Sequence, residues 1–338
     1  MDMRELLKEL CMAAGVGGQT AITDTAKRLL SVYTDEVTVS PMGNVMGVIR
    51  CGKPNAPMVM LEAHIDQIGF VVTAIEDGFV RVGACGGVDG RTLAATEVIV
   101  WGDKPYPGVF ASTPPHLAGD DKKMPSLDER LVDIGLSDDE AKAAIPVGSR
   151  VSFRPRLDEI GKYGVVGTSL DDRAGMAAVL WAVDLCSKDK PSVDIAVCFS
   201  VQEELGTRGA ATGTWTLKPD AVVAVDVSFA YTPDADRRDC GDLGKGPMIG
   251  FAPTLDEGLS RRLVALAQEH NIPFQREVMG GRTGTDADVI STVADGVKTV
   301  LISVPQRYMH TPVEVVDVRD VENTGRLMAA LVQGGLDK

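Results

Sequence analysis

Several things are scarce in this chain of 338 residues, and each scarcity excludes something. Cationic side chains are outnumbered, 34 Lys and Arg against 48 Asp and Glu, for a formal net charge of -14. With basic clusters absent as well, the chain repels phosphate backbones, which argues against nucleic acid as a partner. No apolar run approaches the roughly 18 residues of a membrane span, so no membrane partner is expected, and the opening "MDMRELLKELCMAAGV" reads as an amphipathic helix rather than a signal peptide. A cytoplasmic location is the default expectation. The six cysteines (Cys11, Cys51, Cys85, Cys186, Cys198 and Cys240) have no C-x-x-C spacing. That suits reduced, mostly buried thiols better than a disulfide framework or a thiolate zinc site. Internal repeats and low-complexity tracts are missing too. What remains, 44% hydrophobic and 24% charged residues, is an ordinary globular composition, long enough for one large domain or two of usual size, with two expected.

The apolar spacing predicts helices over residues 3–14 and 21–33. "VTVSPMGNVMGVIR" then alternates around a Gly43-Asn44 turn signal, a predicted hairpin, and "APMVMLEAHID" reads as a buried strand that turns polar at its end. From about Gly69 to Arg156 the texture changes to short strands, "FVVTAIEDGFVRVGAC", "TEVIVWG" and "GSRVSFRP", with one helix signal at "SDDEAKAAI". This predicts a small, mainly β insert. Beyond Tyr163 strands ("VDIAVCFSV", "AVVAVDVS", "VKTVLISV") alternate with helices ("DRAGMAAVLWAVDLC", "LDEGLSRRLVALAQEH", "DADVISTVA", "RDVENTGRLMAALVQGG"). The alternation implies an α/β sandwich with a largely parallel central sheet.

Polar residues interrupt the ends of these apolar runs. In "SVQEELGTRGA" Glu203 and Glu204 follow a strand directly. Two neighbouring carboxylates at a sheet edge repel and lose hydration, so one should bind a cation or carry a proton. His64 and Asp66 in "EAHID" project from one strand face, where a carboxylate can hold one imidazole nitrogen and leave the other for a metal, although a satisfied structural histidine gives the same pattern. Asp171 and Asp172 in "SLDDRAG" stand at a strand-to-helix junction, also an ordinary place for an N-cap. Asp226 ends the apolar "AVVAVDVS", where its charge is costly unless paired or coordinated. His310 in "RYMHTPVEVVD" follows the strand "TVLISV", again at a carboxyl end, where open α/β sheets gather ligands. Together these positions offer oxygen and imidazole donors without thiolate, a set suited to zinc, cobalt or manganese. Two ions about 3.5–4 Å apart sharing one carboxylate would absorb the excess negative charge. One glutamate would then bind metal while its neighbour moves a proton.

The ordered motifs "AHIDQIGF", "LDDRAG", "VQEELGTRGA", "AVDVS", "LGKGPMI", "GTDAD" and "RYMHTPVEVVD" span nearly the whole chain. They resemble the glutamyl/leucyl aminopeptidase family that forms tetrahedral dodecamers, some of whose members carry cellulase-like names. The resemblance implies a three-layer α/β/α dinuclear metallopeptidase domain, residues 1–66 and 164–338, with an inserted, mainly β dimerisation domain at residues 67–163. It implies that Asp171 bridges two divalent ions, zinc or cobalt, with His64 and Asp226 completing one site and Glu204 and His310 the other. Glu203 would be the general base and then acid for a metal-bound water, and Asp66 the partner behind His64. The peptide after Asp171 is expected to be cis, and "GTDAD" is expected near the substrate. The implied reaction is removal of the N-terminal residue from peptides with a free N-terminus, by a homo-oligomer whose dimers assemble into a hollow dodecamer.

Two positions depart from the family pattern: Gln67 stands where many relatives have Glu, and Thr207 where an aliphatic residue is usual. Neither is an expected ligand. His116 reads as a surface or interface residue, and His270 as the cationic end of a helix. Arg91, Arg282 and Arg307 are candidates for a substrate carboxylate, with structural ion pairs the blander account. Two rival functions differ in what they require. A glycoside hydrolase uses two carboxyl groups flanking a sugar about 5–9.5 Å apart and no metal. A non-catalytic metal-binding scaffold needs the ligands but not Glu203.

Overall fold

The computed structural model describes residues 1–114, 116–117, 126 and 129–336. Two amphipathic helices open the chain, α1 (Met3–Met12), capped by the Asp2 carboxylate, and α2 (Thr20–Leu30). The hairpin β1 (Val37–Val39) and β2 (Val45–Ile49) follows, then β3 (Met58–His64). A second group of strands comes next: β4 (Gly69–Glu76), β5 (Phe79–Cys85), β6 (Glu97–Trp101), β7 (Pro105–Phe110), β8 (Leu131–Asp133) and β9 (Arg150–Phe153), with α3 (Asp138–Ala144) before the last. The remainder alternates: β10 (Leu157–Ile160), β11 (Gly164–Gly167), α4 (Leu170–Lys188), β12 (Asp194–Ser200), α5 (Arg208–Leu217), β13 (Ala221–Phe229), β14 (Met248–Phe251) and α6 (Glu257–Glu269). After these come β15 (Gln275–Val278), α7 (Ala287–Ile290), β16 (Lys298–Arg307), β17 (Glu314–Asp317) and α8 (Val318–Gly334).

Among the described residues, eleven strands form one sheet in the order β1-β2-β12-β3-β13-β16-β17-β11-β10, with β14 joining β16 to β15. The central strands β12, β3, β13 and β16 run parallel to one another, as do β14 and β15, while β2, β14 and β17 join the central four antiparallel. The sheet is therefore mixed, parallel in its middle and in the β14–β15 pair, rather than largely parallel as expected. Val59, Leu61 and Ala63 of β3 pack with buried residues of α1, α2, α4, α6 and α8, whereas Met60 packs with α5 and α7. Burial on both faces explains the unbroken apolar runs. The fold is a three-layer α/β/α sandwich, as expected.

The strands from Gly69 to Phe153 close into a separate barrel, β4-β5-β8-β7-β6-β9. Its core holds Phe70 edge to face with Phe110 and Phe153, at centroid separations of 5.0 and 5.5 Å. β10, although within residues 67–163, pairs with β11 at the edge of the large sheet. The chain thus leaves the sandwich after β3, at the centre of the sheet, and rejoins it through β10, at its edge. The helix read over "DADVISTVA" shortens to α7, and α5 was not anticipated, since "RGAATGTWTL" carries two glycines and little apolar spacing. Among the described residues no helix is long and apolar enough to cross a membrane.

Candidate metal centre

The sheet delivers its polar strand ends to one place. His64 closes β3 and lies beside Ser200, the last residue of β12, so Glu203 and Glu204 emerge next to it. Asp226 lies in β13, and His310 follows β16. Asp171 enters from the start of α4, where Asp171 and Asp172 leave helical geometry and their peptide bond is cis. Two donor groups result, His64–Asp171–Asp226 and Asp171–Glu204–His310, each with its ligand atoms within 4.8 Å of one another. His64 Nε2 lies 3.0 Å from Asp171 Oδ1 and 3.9 Å from Asp226 Oδ1. His310 Nε2 lies 3.4 Å from Asp171 Oδ2 and 3.6 Å from Glu204 Oε1. Asp171 is common to both groups, one oxygen towards each histidine.

His64 Nδ1 is 3.1 Å from the Asp66 carbonyl oxygen, which can only accept, so Nδ1 keeps a proton and Nε2 is the nitrogen turned to the cluster, free to offer a lone pair to a cation once its own proton has left. The Asp66 carboxylate does something further: its Oδ1 accepts the Glu203 backbone N–H at 2.9 Å while standing 3.6 Å from His64 Nδ1. It ties the two-glutamate loop to the end of β3.

Without cations the cluster is crowded with negative charge. Burial pushes Glu203 up to about 7, helped by Asp286, Asp171 and Asp66. Burial and the Asp171 charge push Glu204 to about 8, and burial holds Asp226 well above the carboxylate range. Hydrogen bonding to Asp171 lifts His310 to about 9. Burial opposes the charged form of His64, yet Asp171 and Asp66 raise it well above an ordinary imidazole. For Asp171 the hydrogen bonds from His310 and His64 outweigh burial and lower it. Glu204 Oε1 is buried with no hydrogen-bond partner, an orphaned acceptor facing an imidazole. Divalent cations fit this arrangement. The donors are oxygen and imidazole, they converge, and they hold protons or lack partners when no cation neutralises them.

Sequence reasoning missed several residues around the centre. Glu314, 1% exposed, accepts the Asp171 N–H and the His310 N–H, both at 3.2 Å. It clamps the backbone of a histidine held at a left-handed φ of 61°. Gly86 and Gly87, just after β5, bring the barrel against the cluster: a Cβ at Gly87 would stand 2.8 Å from His310 Nδ1, and one at Gly86 3.0 Å from Glu204 Oε2. The Asp89 N–H also donates to the His310 carbonyl at 3.4 Å. "GTDAD", expected near the substrate, reaches the site from behind, because buried Asp286 and Glu62 lie 2.8 and 2.7 Å from Ser200 Oγ, whose one proton serves a single carboxylate while burial keeps the Glu62 carboxyl protonated. A glycine pair after a strand was the one signal available for the barrel contact. Nothing in the sequence marked Glu314, an acid inside an apolar run, as different from a surface residue of an edge strand.

Other candidates lie elsewhere. His116 is exposed and His270 caps α6. Arg91 pairs with Asp89, and Arg307 Nε donates to the Tyr231 carbonyl at 2.8 Å. Arg282 is exposed. Thr207 precedes α5 at φ 54°, its N–H on the Glu203 carbonyl.

Fold and family together define an aminopeptidase. The solved aminopeptidase APDkam598 from Desulfurococcus kamchatkensis matches with a TM-score of 0.92 at 34% identity, over 98% of this chain and 95% of that one. The TET1 peptidase of Pyrococcus horikoshii, described as able to assemble into a tetrahedron or a large octahedral shell, matches with a TM-score of 0.86 at 29% identity, over 98% and 99%. The chain belongs to the M42 glutamyl aminopeptidase family, whose sequence pattern matches residues 43–327. Among curated relatives, the lysyl aminopeptidase of Pyrococcus furiosus is 35% identical, over 97% of this chain and 96% of its own length.

Proposed function

We propose that this aminopeptidase is a dinuclear metalloenzyme that hydrolyses the N-terminal residue from peptides. The observation that carries the reading is the pair of donor groups sharing Asp171, with Glu203 tethered beside them. His64 and Asp226 would hold one divalent ion, Glu204 and His310 the other, and Asp171 both, with zinc or cobalt suiting the donors. When bound, the ions supply a Lewis acid for the scissile carbonyl and an activated water. Glu203 takes the water proton and returns it to the leaving amine. Its push towards neutrality by burial and by Asp286, Asp171 and Asp66 suits that exchange at neutral pH. Asp66 holds the Glu203 backbone in place, and Glu314 fixes the main chain of Asp171 and His310.

A free substrate α-amino group, drawn to the excess of carboxylates, makes the cut exo-acting. The insert at residues 67–163, whose strands from Gly69 to Phe153 form the closed barrel, is proposed as the dimerisation domain of a homo-oligomer that reaches a tetrahedral dodecamer; the assembly described for the Pyrococcus horikoshii peptidase supports this. Six free thiols accord with a cytoplasmic setting.

The test is hydrolysis of a panel of aminoacyl chromogenic amides by protein stripped of metal and reloaded with zinc or cobalt. Metal-dependent release from Glu, Asp, Lys or Leu amides, with none from N-blocked versions, is expected. No release from protein that still binds two ions would overturn the catalytic reading and leave a metal-binding scaffold.

A further inference from the structure

Arg173 is 0% exposed and heads the fully buried side chains by volume. Its guanidinium donates to backbone carbonyls of Leu10, Ile65 and Ala13, at 3.1, 2.6 and 3.3 Å, and through Nη2 to Gln67 Oε1 at 3.3 Å. Gln67 Oε1 also accepts the Gly15 N–H at 2.9 Å. Every oxygen in that set is neutral, and among the described residues no carboxylate pairs with Arg173. A buried cation without a counterion is costly, so its charge must be balanced from further away.

The balancing charge is at hand. Arg173 follows Asp171 by two residues, and the Ile65 carbonyl it holds lies between His64 and Asp66. Asp66 Oδ2 and Asp172 Oδ2 are buried and unpartnered. The guanidinium therefore stands directly behind the candidate ligands, anchored by groups that leave its charge unspent. An acid at position 67 would neutralise it locally; the amide here does not.

We propose that Arg173 is a built-in counter-cation of the metal centre and that neutral Gln67 leaves its full charge acting on the ligand carboxylates. Arg173 and the metal ions then compete for the same negative charge, and this chain holds its ions more loosely than it would with Glu at 67. The inference rests on the metal reading above and assigns Arg173 and Gln67 as positioning residues, since neither contacts the donors.

Two substitutions of opposite chemistry cancel the same charge: Gln67→Glu supplies a counterion, and Arg173→Gln removes the cation. Ion dissociation constants, measured by competition with a chromophoric chelator at fixed pH and salt, should fall about tenfold in Gln67→Glu, as one added charge in a partly shielded interior predicts. Arg173→Gln, if it folds, should move the same way despite its lost hydrogen bonds. Gln67→Leu, which removes the acceptor without adding charge, should lower Tm without tightening the ions. Unchanged affinity in Gln67→Glu, or equal shifts in Gln67→Glu and Gln67→Leu, overturns the proposal and leaves Arg173 a tether between α1 and β3. Wild-type protein that binds no divalent ion overturns it together with the metal reading.

Discussion

Glu203 and Glu204 are adjacent in the chain but sit in different company. Glu204 faces His310 and Asp171, whereas Glu203 is bound through its backbone to Asp66 and has no imidazole within ion-pair reach. That difference fits the proposed roles of Glu204 as ligand and Glu203 as base. Glu203→Gln, nearly isosteric, is expected to lower kcat by a factor of about 10² to 10⁴ while two ions still bind, which activity and metal analysis on one sample would check. The ligands make a second prediction. Hydrogen bonding to Asp171 pushes His310 up to about 9 and burial pushes Glu204 up to about 8, so each would have to lose a proton to hold an ion. Apparent metal affinity should rise from pH 6 to pH 9, about tenfold per pH unit for each proton displaced, with proton release visible by calorimetry in buffers of different ionisation heat. The donors were legible because each stands near the end of an apolar run, singly or as one of two adjacent acids, where burying a charge demands an explanation. Glu314 was not, and Asp286 only as part of "GTDAD", because their burial depends on which strand or loop covers them.

At the scale of elements, short connections carry much of the positioning. Asn44, read from sequence only as a turn residue, is fully buried; its side chain bonds the Gly209 carbonyl and Thr212 Oγ1 and accepts the Val201 N–H. It staples the hairpin to both ends of the loop that carries Glu203 and Glu204. Asn44→Ala strands those backbone groups and should cost about 2–4 kcal/mol in urea unfolding, with weaker activity in the surviving folded fraction. Gly87→Ala should act more locally: the added methyl displaces His310, so ion uptake at the second group should weaken while Tm hardly changes, as titration with cobalt absorbance would show. The helices and central strands were readable from periodicity, because burial on one stripe or both faces leaves a pattern over many residues. β17, four residues long and placed by pairing with β11 and β16, leaves no such pattern.

For the whole molecule, the order of layers was visible in the alternation of strands and helices, whereas the mixed sheet was not, since the direction of an edge strand is decided by the length of its connection. The closed barrel lacks free edges of its own, so an association through it would use side chains rather than strand addition. Light scattering of the full chain with metal present should give a mass well above one protomer; a monomer would count against assembly through this part.

The Asp89 N–H on the His310 carbonyl and the close approach of Gly87 to the same imidazole mean that the barrel holds one wall of the second ligand group. If neighbouring subunits grip one another by the barrel, quaternary structure and ion occupancy become thermodynamically linked, and the linkage runs both ways. Chelation should then shift the assembly towards smaller species, and dilution to the protomer should release ions without any chelator.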